Sequence, residues 1–84
     1  MGKLPQVTGH EVCKVLEKEG FVFKRQTGSH RIYQKQSEEG AVTIPVPVHS
    51  SKPLKKGTLQ GILKKAGLSK EKLIFLITLF LSGF

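Results

Sequence analysis

The sequence predicts an α+β protein in which one helix is followed by three antiparallel strands and two further helices. Apolar residues recur at helical spacing over residues 8–20 and again after residue 56, whereas residues 21–48 contain three short segments rich in aromatic and β-branched residues. Turns of four residues, each with a glycine, separate these short segments, and such connections suit antiparallel pairs. The length of 84 residues fits one domain, so we treat residues 1–84 as a single folding unit.

The first helix is predicted over "TGHEVCKVLEKEG", residues 8–20. Thr8 is a favourable N-cap, and Glu11 three residues later completes a capping box. Gly20 is expected to end the helix, as glycine often does just after a C-terminus. The apolar stripe that faces the core consists of Val12, Val15 and Leu16, with Cys13 as a further small core residue.

Three strands are predicted over "FVFKR" (21–25), "HRIYQKQ" (30–36) and "AVTIPVPV" (41–48), with turns at "QTGS" and "SEEG". In the third strand Pro45 and Pro47 fall on one face, and the other face carries the aliphatic residues Val42, Ile44, Val46 and Val48. Proline cannot donate a hydrogen bond to a neighbouring strand, so this segment should lie at an edge of the sheet.

Two helices should follow the loop "HSSKPLKK". The first is predicted over "GTLQGILKKAG", with Thr58 as N-cap and Gly67 at its end, and the second begins at "LSKEKL" with Ser69 as N-cap. Residues 73–84, "LIFLITLFLSGF", are apolar on almost every side but shorter than the ~20 residues that span a bilayer. We expect this extension to be buried by self-association or by a partner chain; alternatively, its first half covers the core.

The charge is strongly basic and unevenly distributed. The chain has 14 basic and 6 acidic side chains, for a net charge of +8. Residues 50–84 contain seven of the basic residues and only one acidic residue, Glu71. Such an imbalance favours a nucleic acid partner over the ordinary alternative of a solvated surface.

The cysteines and histidines are too few and too scattered for a disulfide or a metal site. Cys13 is the single cysteine, which excludes an internal disulfide. The three histidines are scattered, without metal-ligand spacing, and the first residues do not form a secretion signal. We therefore expect a cytoplasmic protein without a metal or other cofactor.

The segment "RQTGSHRIYQ" contains the strongest candidate for chemistry, His30. Histidine can take and give a proton near neutral pH, and several cations lie close in the sequence. Strand alternation places either Ile32 or Tyr33 in the core, and the pattern alone does not decide between them. His30 faces solvent if Tyr33 points inward and lies at the rim of the core if Ile32 does.

Two stretches of the chain resemble the HicA family of bacterial and archaeal toxins, the small basic partners of HicB-type antitoxins. They are "TGHEVCKVLEKEGFVFKRQTGSHRIY" and "VTIPVPVHSSKPLKKGTLQGILKKAGLS", which together cover roughly residues 8–72. The specific elements are "GSH" followed by an aromatic residue three positions after the histidine, and "LKKGTLQGIL". Residues 73–84 have no counterpart in this resemblance.

The resemblance implies a fold like the double-stranded RNA-binding domain, α-β-β-β-α, with helices packed on one face of the sheet and here an extra C-terminal helix. It implies a ribonuclease that cleaves mRNA, with His30 as its catalytic residue and Tyr33 in the core. The family's Pro-x-His element places a second histidine at His49, with no role assigned to it. Expected partners are mRNA and a HicB-type antitoxin; the alternative is a non-catalytic RNA-binding module of the same fold. Candidate residues for binding RNA phosphates are Lys24, Ser29, Arg31, Lys55 and Lys56.

Overall fold

The computed structural model describes residues 4–81, and the side chains of residues 4–79. It confirms the predicted α+β class and the order of the elements, an arrangement like that of the double-stranded RNA-binding domain with one additional helix. The elements are α1 (Gly9–Lys18), β1 (Val22–Thr27), β2 (His30–Ser37), β3 (Gly40–Pro47), α2 (Lys56–Ala66) and α3 (Lys70–Leu81).

The three strands form one antiparallel sheet in the order β1-β2-β3. β3 lies at an edge, as its two prolines predicted. β1 runs to Thr27, two residues further than predicted, because Thr27 pairs with His30 across a two-residue turn. Gly28 opens that turn with a φ of 58°, the left-handed conformation that a type II′ hairpin turn requires at its first central position.

One face of the sheet packs against the helices and forms the core. Tyr33 has no exposed surface and lies opposite Ile44, which is also fully buried. Tyr33 is therefore the inward residue of β2, and His30 lies on the open face of the sheet, which the helices do not cover. The other core residues from strands and helices include Val46, Val12, Val15, Leu16, Leu59, Ile62, Leu63, Leu73 and Leu76.

The start of α1 follows the sequence prediction. The Thr8 hydroxyl accepts a hydrogen bond of 3.2 Å from the Glu11 backbone N–H, and the Glu11 carboxylate accepts one of 2.8 Å from the Thr8 backbone N–H. These two bonds satisfy N–H groups that the helix itself leaves without a partner. Gly20 follows the end of the helix with a φ of 94°.

The predicted start of α2 at Thr58 is wrong. The helix begins at Lys56 with Lys55 as its N-cap, and Thr58 lies within its first turn. The backbone N–H of Leu54 donates a hydrogen bond of 2.7 Å to the carbonyl oxygen of Val7, which fixes the chain immediately before the helix. The chain can then turn directly into the helix without a hydroxyl cap.

The apolar segment after residue 72 is partly used by the core. Ser69 caps α3, since its hydroxyl accepts a hydrogen bond of 3.0 Å from the Lys72 backbone N–H. Leu73 and Leu76 are buried, whereas Phe75 on the other side of the helix is 57% exposed. The first half of the segment therefore covers the core, and residues 82–84 lie outside the described residues. Self-association through residues 73–84 stays a prediction.

Within residues 4–81, no helix combines the length and the apolar character needed to cross a bilayer.

Candidate functional site

His30 is the first residue of β2 and is exposed to solvent. Its neighbours across the two strand pairs are Thr27 on β1 and Pro47 on β3. Cross-strand partners share a face of the sheet, so all three side chains lie on the open face. The His30 side chain makes no hydrogen bond or ion pair within the described residues, so both ring nitrogens are available to a ligand.

An irregularity in β1 brings Arg25 to the same face as His30. Phe23 pairs with Tyr33 on the helix side, and simple alternation would place Arg25 on that side as well. The register shifts between these two residues, so Arg25 instead lies opposite Ile32 on the open face. Arg25 is exposed, and no hydrogen bond or ion pair joins its side chain to the described residues. The sequence gives no signal for this bulge, so Arg25 was counted among the cations near His30 but not among the candidate phosphate-binding residues.

Lys24 occupies the irregular position itself. It is exposed and borders a shallow groove whose lining includes Val22 and Gln34, two residues that pair across the open face. The same groove is lined by Lys35 of the helix side, so Lys24 lies at the β1 edge of the sheet, further from the hairpin turn than Thr27, the neighbour of His30.

Ser29 lies in the turn immediately before His30. Its carbonyl oxygen accepts a hydrogen bond of 2.8 Å from the Val48 backbone N–H. This bond extends the pairing of β2 and β3 by one residue beyond Pro47 and holds the turn against the start of the following loop.

Arg31, which the sequence grouped with His30, lies on the opposite face of the sheet. Its guanidinium carbon is 4.2 Å from the centre of the Phe23 ring, and its Nη2 donates a hydrogen bond of 3.2 Å to the Tyr33 hydroxyl. That hydroxyl donates one of 2.6 Å to the Glu17 carboxylate. The hydrogen bond to Tyr33 raises the pKa of Arg31, while burial and the bond to Glu17 raise that of Tyr33. The structure does not bring Arg31 together with His30.

A cleft of about 250 Å³ lies where β3 ends and α2 begins. Pro47, the cross-strand neighbour of His30, forms part of its wall. The cationic side of the cleft is formed by Lys52 and Lys55, and His49 lines it as well. Lys56 faces a different groove, beside the segment that precedes α1. Lys55 therefore lines the cleft that Pro47 borders, Lys56 lines another groove, and His30 lines neither of them.

Cys13 is a core residue and not a site. It is buried, and desolvation raises the pKa of its thiol, which disfavours the reactive thiolate. Among residues 4–81, no three His, Cys, Asp or Glu side chains are grouped closely enough to hold a metal ion.

The comparison with protein families identifies a match that covers most of the fold. The family described as the HicA toxin of bacterial toxin–antitoxin systems matches residues 9–68, well over half of the chain. This range includes α1, the three strands and α2, and it contains both His30 and His49. The comparison with curated proteins finds no similar sequence.

Proposed function

The chain belongs to the HicA family of toxins from bacterial toxin–antitoxin systems, and on this premise we propose that it is a ribonuclease that cleaves mRNA through His30. The observation that carries the proposal is the placement of His30. It stands on the open face of the sheet, exposed and without an internal partner, at the end of the strand nearest to the cationic cleft. A histidine retained only for packing would be buried or hydrogen-bonded to its surroundings.

The proposed reaction requires two proton transfers and no metal. The ribose 2′-oxygen attacks the adjacent phosphorus while a base removes the 2′-hydroxyl proton. The bond from phosphorus to the 5′-oxygen then breaks, and an acid protonates that oxygen. The products are a 2′,3′-cyclic phosphate and a 5′-hydroxyl. His30 provides one of the two transfers, and a single well-placed group of this kind accelerates a reaction by about 10²–10⁴-fold.

Cations around His30 provide the affinity for RNA. We propose Lys24 and Lys55 as phosphate-binding residues together with the polar turn at Ser29, and we add Arg25 because it shares a face with His30. Arginine binds a phosphate through two parallel hydrogen bonds, which fixes the orientation of the backbone as well as its position. Lys56 and Arg31 remain candidates from the sequence alone, because Lys56 lines a different groove and Arg31 lies on the opposite face of the sheet.

The proposed regulator is an acidic or otherwise complementary HicB-type antitoxin that covers the open face near His30. The proposed location is the cytoplasm, where mRNA and the antitoxin are both present. An open face without helices offers such a partner access to His30 and to the phosphate-binding residues at the same time.

The test compares His30→Ala with Thr43→Ala on a defined single-stranded RNA, with chelator present. Thr43 is an exposed residue of the same open face, but it pairs with Gln34, four residues further along β2 than His30. We expect both variants to fold and to bind RNA, and only His30→Ala to lose cleavage and growth arrest. Cleavage at the wild-type rate by His30→Ala contradicts the assignment. If the wild-type protein binds RNA without cutting it, the non-catalytic binding module is the correct function.

A further inference from the structure

A second histidine, His49, lies at the same end of the sheet as His30. Pro47 is the cross-strand neighbour of His30, and His49 follows it by two residues. The hydrogen bond from the Val48 N–H to the Ser29 carbonyl keeps the two chains paired beyond the end of β3. The loop that carries His49 is therefore tied to the turn that carries His30.

A shared cleft places His49 beside the cross-strand neighbour of His30. A methyl group of Val48 packs near the backbone of Gly9 in α1, on the helix side. His49 follows at a bend, where the regular alternation of strand side chains no longer applies. The cleft therefore gives its direction, because Pro47 and His49 both line it.

The arrangement suits two groups that act on one phosphodiester. Paired Cα atoms in an antiparallel sheet lie about 5 Å apart, which is the separation expected for His30 and Pro47. His49 follows Pro47 by two residues and lines the cleft that Pro47 borders. Two imidazole rings attached at these positions can approach a phosphate from its two sides, where the entering and leaving oxygens lie.

A purely structural role for His49 is not supported by its contacts. His49 is exposed, and it forms no hydrogen bond or ion pair with the described part of the chain. The loop is held instead by backbone bonds and by the Ser50 hydroxyl, which accepts a hydrogen bond of 2.9 Å from the Lys52 N–H. The loop does not need an imidazole for its conformation.

We propose that His49 is a second catalytic residue, which shares the two proton transfers of RNA cleavage with His30. One imidazole, in its neutral form, accepts the 2′-hydroxyl proton; the other, in its protonated form, donates a proton to the departing 5′-oxygen. After the reaction the two have exchanged protonation states, and proton exchange with water restores them. Lys52 and Lys55 beside His49 stabilise the negative charge on the phosphorus oxygens. This inference rests on the proposed ribonuclease function.

The experiment measures the pH–rate profile of the wild-type protein, His30→Ala, His49→Ala and the control Ser51→Ala on a short RNA. Ser51 is an exposed residue of the same loop. We expect a bell-shaped profile for the wild type, because one histidine must be neutral and the other protonated. His49→Ala should cut about 10²–10⁴-fold more slowly and lose one limb of the bell. Ser51→Ala should retain the full profile, and circular dichroism should show that all variants fold.

A substrate with sulfur in place of the bridging 5′-oxygen separates the two roles. A thiolate leaves without protonation, so this substrate should restore cleavage to whichever histidine variant lacks the acid, and not to the variant that lacks the base. Rescue of both variants or of neither contradicts the pair, as does a wild-type rate and profile for His49→Ala. If His30→Ala is inactive while His49→Ala is unaffected, the proposal of a catalytic histidine pair is wrong and the proposed ribonuclease function through His30 still stands. If the wild-type protein does not cut RNA, the proposed function itself fails.

Discussion

The backbone N–H of Val48 donates a hydrogen bond of 2.8 Å to the carbonyl oxygen of Ser29, one residue beyond the end of β3. This bond joins the turn before His30 to the loop that contains His49. Pre-organised groups act on a substrate without a cost for ordering them at the moment of reaction. The bond therefore helps to hold the backbone near the two proposed catalytic histidines in place before RNA binds.

The first prediction concerns hydrogen exchange at this bond. The Val48 amide should exchange with solvent much more slowly than the His49 amide. Of these two N–H groups, that of Val48 donates a backbone hydrogen bond within the described residues and that of His49 does not. Exchange measured by nuclear magnetic resonance, residue by residue, tests this difference. Equal rates at the two positions would show that the turn and the loop are not joined in solution.

The second prediction compares two glycines that both lie in helices. An added methyl group at Gly9 would overlap with the Pro47 carbonyl oxygen, whereas one at Gly61 would meet nothing within 4 Å. Gly9→Ala should therefore lower the free energy of unfolding by about 1–3 kcal/mol, as overpacking against backbone does. Gly61→Ala should raise it by about 0.5–1 kcal/mol, because alanine favours a helix over the flexible glycine. Urea denaturation measures both values, and a Gly9→Ala variant as stable as the wild type would contradict the close approach at Gly9.

The third prediction concerns Tyr33, whose hydroxyl donates a hydrogen bond of 2.6 Å to Glu17. Tyr33→Phe should lower the free energy of unfolding by about 1.5–3 kcal/mol at pH 7, since the partner is charged. Burial and this bond raise the pKa of Tyr33 well above its usual range. The protonated hydroxyl therefore stabilises the folded protein fully at pH values below about 10, the pKa of tyrosine in the unfolded chain. This contribution to the free energy of unfolding is lost as the pH rises above that value.

The measurement for Tyr33 is the difference in unfolding free energy between the wild type and Tyr33→Phe as a function of pH. The advantage of the wild type should be constant from pH 7 to about 9 and should shrink above about pH 10, by up to about 1.4 kcal/mol per pH unit. Lysine titration affects both proteins alike and cancels in the difference. An advantage that stays constant through pH 11 would mean that the hydroxyl is not protected in the folded protein.

The order of elements was predictable from the sequence because local signals agree with the fold at nearly every boundary. Thr8 and Glu11 form the predicted capping box, and Gly28 adopts the predicted turn. Thr58 was misleading because a backbone bond from Leu54 to Val7 fixes the start of α2. That bond joins residues far apart in sequence, and no local pattern contains it.

The candidate site was only partly predictable. The position of His30 followed from the motif, but the face on which it lies depended on whether Tyr33 or Ile32 points inward. The structure places Tyr33 inward. The bulge in β1 then reverses the expected direction of Arg25, whereas alternation along β2 places Arg31 on the helix side, where it stacks on Phe23. Proximity in sequence is a poor guide along a strand, because adjacent residues face opposite sides.

The fourth prediction separates the two arginines in a His30→Ala background, which allows binding without cleavage. Adding Arg25→Ala should weaken RNA binding and reduce the slope of log K against log salt by about 0.7, the value for one lost contact to a single strand. Adding Arg31→Ala should leave that slope unchanged and instead lower the free energy of unfolding, because its contacts to Phe23 and Tyr33 are internal. Fluorescence anisotropy at several salt concentrations measures the slopes.

The control for the arginines is Lys64→Ala, since Lys64 lies in the last turn of α2 and lines none of the grooves described above. It should alter binding least of all. A slope that changes with Arg31→Ala and not with Arg25→Ala would reverse the assignment of the two faces.

The fifth prediction concerns α3, where neighbouring residues have opposite environments. Leu73 is fully buried, so Leu73→Ala should lower the free energy of unfolding by about 2–5 kcal/mol. Phe75→Ser should change it by less than about 0.5 kcal/mol, because Phe75 is 57% exposed.

Phe75→Ser also tests the predicted self-association through residues 73–84 without removing the core residues Leu73 and Leu76. Sedimentation should show a mass above that of one chain for the wild type and a lower mass for Phe75→Ser. Equal masses for the two proteins would exclude the exposed side of α3 around Phe75 as the surface of self-association. The predicted loss of stability in Leu73→Ala would not be affected by that result, because it depends on the core alone.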